Sequence, residues 1–71
     1  MLNGKSLEKV RSALGLSRTD LADRLGVDYA TVYSWEHKKA EELLKPYVAY
    51  SIQGLFPERV IIRDETLFVS I

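Results

Sequence analysis

At 71 residues the chain has room for one domain, with a core near the lower limit for a single apolar interior, so burial of further apolar surface against a second copy is expected. Hydrophobic residues at 46% and charged residues at 28% exclude a disordered chain, and the lack of cysteine excludes disulfides and thiolate metal sites. Ten basic residues balance ten acidic ones, so net charge alone does not announce a polyanionic partner.

In chain order, Leu7, Val10 and Leu14 recur at helical spacing among Lys5, Glu8, Lys9 and Arg11. They predict an amphipathic first helix that starts near Asn3 or Ser6 and stops at Gly15. Ser17 offers an N-cap oxygen, and Asp20 three residues on suits the positive end of a helix dipole, so a second helix is expected from Arg18 to Leu25. Leu21, Ala22 and Leu25 form its inner face, Gly26 closes it, and Val27 turns inward. Asp28 is then positioned to cap a third helix from Tyr29 to about His37, with Val32 and Trp35 on its inner face. Two short helices joined by so tight a turn, over residues 17–37, are a helix-turn-helix, which holds its second helix where it can enter the major groove of DNA.

Beyond Lys39, Leu43, Leu44, Tyr47, Val48 and Ile52 still favour helix, but Pro46 is tolerated only in a first turn. A short helical turn over 40–44 and a separate helix from Pro46 to about Gln53 are expected, with Gly54 and Pro57 stopping the latter. RVIIR and TLFVSI are β-branched and aromatic and flank the polar pair Asp64-Glu65, which predicts a C-terminal β-hairpin over 58–71. A lone two-stranded ribbon is marginal in water. One face should therefore pack on the helices, and the other face or a free edge should meet a second copy in a two-fold dimer. The dimerisation residues would be Val60, Ile62, Leu67, Phe68, Val69 and Ile71; the alternative is a hairpin that merely covers the monomer's own core. The expected class is α+β, mostly α, with four to five short helices and a C-terminal β-hairpin in a single domain, 1–71.

Ala22, Gly26, Val32 and Trp35 stand at the spacing A-x3-G-x5-V-x2-W, preceded by Leu14-Gly15-Leu16-Ser17, and the stretch from about Leu7 to Lys39 resembles the Cro and lambda-repressor (Xre) family. Each residue has a physical reason as well. Ala22 must be small where two helices cross, Gly26 occupies a turn that favours positive φ, and Val32 and Trp35 fill the space under the crossing. The resemblance implies a lambda-repressor-like bundle and an ion pair between Arg11 and Glu36. The chain departs from the family pattern at Arg18, where glutamine is common, and in its C-terminal hairpin, which is similar to the Cro branch.

A recognition helix reads base edges from its N-terminal turns, so Tyr29, Ala30, Tyr33 and Ser34 are the candidate base contacts. None is an Arg, Asn or Gln capable of a bidentate contact with guanine or adenine, so direct readout should be modest and DNA shape and half-site spacing important. Phosphate contacts are expected from Ser17, Arg18, Thr19, Thr31, Lys38 and Lys39. Seven basic residues face five acidic ones from Met1 to Lys39, a net +2, whereas the remainder carries three against five, a net −2. The surplus positive charge thus lies with the helix-turn-helix.

No nucleophile with a base, paired catalytic carboxylates, metal cluster or glycine-rich phosphate loop is evident, so neither enzymatic activity nor a cofactor or metal is expected. His37 reads as an exposed or phosphate-facing imidazole beside Glu36. The expected role is a sequence-specific, double-stranded-DNA-binding transcriptional regulator acting as a dimeric repressor, and a cytoplasmic location follows by elimination. No run approaches the roughly 18 apolar residues of a membrane span, and no secretory pattern opens the chain. The rival reading is a protein-interaction module, an antitoxin-like or anti-repressor subunit, that keeps the fold and engages an unknown second protein.

Overall fold

Local capping sets most of the helix boundaries. The computed structural model describes Met1–Ser70, with helices α1 (Gly4–Ala13), α2 (Arg18–Leu25), α3 (Tyr29–His37) and α4 (Pro46–Leu55) followed by strands β1 (Val60–Arg63) and β2 (Thr66–Val69). The Asn3 side chain accepts the Ser6 amide at 2.8 Å and starts α1. At α2 the capping is reciprocal: Ser17 Oγ accepts the Asp20 amide at 3.0 Å, and the Asp20 carboxylate accepts the Ser17 amide at 3.1 Å. Gly26 ends α2 in the left-handed region, with φ of 72°. Asp28 does not cap α3 with its side chain as expected; only its carbonyl accepts the first amides, from Thr31 and Val32.

The core lies where α1, α2 and α3 converge and continues under α4 and β1. Leu7, Leu21, Val32, Val48, Ile52 and Val60 are its largest fully buried side chains, and Ala22 is buried where α2 lies against α3.

Residues 40–44 are turn and extended backbone rather than the expected helical turn. The cause lies at the other end of the chain. Helix α1 cannot satisfy its own first amides, and those of Gly4 and Lys5 donate to the Lys39 and Ala40 carbonyls at 3.1 and 3.2 Å. The Leu44 amide donates to Leu2 at 2.7 Å, and Asn3 bridges Leu43 in antiparallel fashion. This approach is possible only because residue 4 is glycine: a Cβ there would stand 2.0 Å from the Trp35 carbonyl oxygen.

Helix α4 begins with Pro46 in its first turn and runs through Gly54 to Leu55, two residues past the expected end. Gly54 is exposed and costs the helix little, whereas Pro57 disfavours helical backbone in the residue before it.

The hairpin pairs Val60 with Val69, Ile61 with Phe68, Ile62 with Leu67 and Arg63 with Thr66. Asp64 and Glu65 both take positive φ, 52° and 59°, as a two-residue type I′ loop requires. Its inner face corrects the dimerisation set. Val60 is 1% exposed, and Ile62, Leu67 and Val69 pack against the same core, so these four belong to the monomer's interior. Phe68 and its cross-strand partner Ile61 point outward; Ile71 lies outside the described residues. Arg59 ties the hairpin back to the helices, donating to the Ala13 carbonyl at the end of α1 at 3.1 Å.

Candidate nucleic-acid interface

Helix α3 divides cleanly into an inner and an outer face. Val32, Trp35 and Glu36 point inward; Tyr29, Ala30 and Tyr33 are exposed, and Thr31 and Ser34 are half-buried at the margin. Tyr29, Tyr33 and His37 recur every four residues and form one aromatic ridge, with ring centroids 6.3 Å apart for the first pair and 4.2 Å for the second. Of the four candidate base contacts, three therefore stand free and Ser34 is partly covered.

The inner face is held by a charged side chain. Glu36 has no exposed side-chain surface and accepts hydrogen bonds from two different helices: Arg11 Nε at 2.8 Å and Nη2 at 3.3 Å from α1, and Arg18 Nε at 2.8 Å from α2. Arg11 Nη1 also donates to the Leu16 carbonyl at 2.8 Å. Burial pushes the Glu36 carboxyl up, but the hydrogen bonds and charges of Arg11 and Arg18 outweigh it and hold the group below its ordinary value. A buried carboxylate thus fixes α3 relative to both preceding helices.

Arg18, expected only as a phosphate contact, is first of all part of this network. Besides its bond to Glu36, its Nη2 lies 3.0 Å from His37 Nε2 and its guanidinium sits 5.5 Å from the centre of the Tyr33 ring. Ser17 is likewise committed to capping, whereas Thr19, Lys38 and Lys39 are exposed around the ends of α2 and α3. The Arg18–His37 contact had one signal in the sequence, the four-residue step from Tyr33 to His37 on the exposed face; nothing local pointed from Arg18 to it. Oxygens of Glu8 and Glu36 and a ring nitrogen of His37 lie within 4.8 Å of one another, but a cation there would face two guanidinium groups already bound to Glu36.

Three helices locked through a buried ion triad, with a capped second helix, a left-handed turn and an outward third helix, define a helix-turn-helix domain. Residues 7–41, 35 of the 71, match the family model described as Helix-turn-helix, and this segment is similar to the Xre and lambda-repressor type, a family of DNA-binding regulators. No curated protein and no solved structure matches the chain. No helix among the described residues is long and apolar enough to cross a membrane.

Proposed function

We propose that the protein is a dimeric, cytoplasmic repressor that reads a specific double-stranded operator with α3 in the major groove. The observation that carries this reading is the outer face of α3, on which Tyr29, Ala30 and Tyr33 stand exposed in a segment matching a DNA-binding family. Tyr29, Ala30, Tyr33 and Ser34 touch base edges, Ala30 by apolar contact with a thymine methyl and the others through hydroxyls and rings. Ser17, Arg18, Thr19, Thr31, Lys38 and Lys39 contact phosphates and set the register. Two copies meet through the outer face and edges of the hairpin, with Phe68 and Ile61 at the centre, and recognise half-sites about 34 Å apart.

A titration of duplex DNA by fluorescence anisotropy at several salt concentrations tests the reading. Binding should weaken steeply with salt, and replacing both Lys38 and Lys39 by alanine should weaken binding to all sequences and flatten the slope by roughly one per lost phosphate contact. Salt-independent or absent binding would overturn it. A protein-directed role, antitoxin-like or anti-repressor, is the second reading, favoured by the exposed Tyr47 and Tyr50 on α4 and Leu43 just before it.

A further inference from the structure

His37 lies where three helices bring charge together. From α2, Arg18 approaches its Nε2 at 3.0 Å; from α1 comes the exposed Glu8 carboxylate, and from α3 the buried Glu36 carboxylate. The ring of Tyr33 stacks against the imidazole. Guanidinium groups donate and never accept, so a hydrogen bond from Arg18 requires a lone pair on Nε2. That bond exists only while His37 is neutral.

We propose that His37 and Arg18 form a proton-linked clamp for a backbone phosphate of DNA, an inference that rests on the DNA-binding reading above. When a phosphodiester oxygen enters between them, His37 takes a proton from solvent at Nε2, and both side chains donate to the anion. The surroundings fit this exchange. Arg18 spends one N–H on Glu36 and one on His37, and a guanidinium with five N–H groups has others to offer a phosphate. Glu36 is already matched by Arg11 and Arg18 and has little charge to offer a further cation. Glu8 attracts the imidazolium while Arg18 repels it, so the arriving phosphate is the charge that decides. The Tyr33 face stabilises a cation stacked upon it. Histidine is the side chain whose charge ordinarily changes between about pH 5 and 8, so the clamp would make operator affinity sensitive to pH in the physiological range.

The test compares the full chain with His37→Gln, whose amide oxygen still accepts from Arg18 but cannot become charged. Duplex affinity is measured by anisotropy at constant low salt between about pH 8 and pH 6. Proton uptake is read by calorimetry in buffers of different ionisation enthalpy. The unaltered protein should bind about fivefold more tightly at the lower pH, the gain expected when one unit charge is added about 4 Å from another in water. Its complex should take up a fraction of a proton, and His37→Gln should show neither effect. Any contribution from the N-terminal amine is common to both proteins and cancels. Equal pH dependence and equal proton uptake in the two proteins would overturn the clamp and leave DNA binding intact. If neither protein binds duplex, the DNA-binding reading falls and the clamp with it.

Discussion

The two halves of the molecule solve the problem of a small core differently. In α1–α3 the first turns of α1 and α2 are capped by side chains, the only buried charge is matched by two arginines, and the large exposed apolar side chains are Tyr29 and Tyr33 on the outer face of α3. From residue 40 onward Leu43, Tyr47, Tyr50, Leu55, Ile61 and Phe68 are all exposed, and α4 has no side-chain cap. Apolar surface in the first half is confined to the face proposed to read DNA; in the second it is spread over a sheet face and a helix flank, as on a surface that meets another protein. Among the described residues the first half thus keeps its exposed apolar surface on one helix face, whereas the second leaves six large apolar side chains in solvent.

The sharpest way to break this contrast is at Gly4, where the halves meet. In Gly4→Ala the new methyl would collide with the Trp35 carbonyl oxygen at 2.0 Å and crowd Lys39 and Ala40 at 2.9 and 2.8 Å, all backbone that cannot rotate aside. A loss on the order of 4 kcal/mol or more is expected, seen as a large fall in the urea midpoint. An unchanged midpoint would mean that the contact between Leu2–Lys5 and residues 39–44 is dispensable. Next in size is Arg11→Ala, which leaves Glu36 buried with Arg18 alone. The cost should be about 3 kcal/mol, the lower end of the range for breaking a buried pair, because one guanidinium remains. A thermal midpoint close to that of the parent would refute it.

A smaller effect should appear in acid. The Glu36 carboxyl is held below its ordinary 4.5, and Asp20, hydrogen-bonded to the Ser17 backbone and hydroxyl, is held below 3.8. Groups with lowered folded-state values contribute their full stability above the unfolded value and lose it as pH falls through the folded one. Unfolding free energy should therefore stay level on this account above about pH 5 and decline below it, and the decline should be shallower in Glu36→Gln. Equal acid slopes for the two proteins would remove Glu36 as the cause.

Where structure is set by neighbours in sequence, it was legible. Ser17 with Asp20, Gly26, and the alternation of Leu21, Ala22, Val32 and Trp35 specify α2, its turn and α3 almost residue by residue. Residues 40–44 were misread because their hydrogen-bond partners, Leu2, Gly4 and Lys5, lie at the opposite end of the chain. The hairpin was legible as strands but its faces were not, since Ile61-Ile62 and Leu67-Phe68 put apolar side chains on both sides. Its turn carried no glycine or asparagine to mark two positive φ angles. At the interface, Arg11–Glu36 came through family resemblance, whereas Arg18 read as a free phosphate contact because nothing local ties it to Glu36 and His37.

The gentlest perturbation discriminates best between a covered and an uncovered second half. Ile61 and Phe68 are 46% and 54% exposed and face each other across the outer side of the ribbon, while Val60, Ile62, Leu67 and Val69 hold the inner side to the core. An aspartate at either outer position removes no core contact, so in Ile61→Asp or Phe68→Asp the stability of the isolated chain should change by no more than about 0.5 kcal/mol. In a dimer centred on these side chains each substitution appears twice across the two-fold axis, burying two like charges opposite apolar surface. Sedimentation should then show monomer where the parent shows dimer, with circular dichroism unchanged and operator affinity lowered through loss of the second half-site. Should the parent sediment as a dimer and both variants do the same, the ribbon's outer face is not the interface, and the exposed flank formed by Leu43, Tyr47 and Tyr50 is the next surface to substitute.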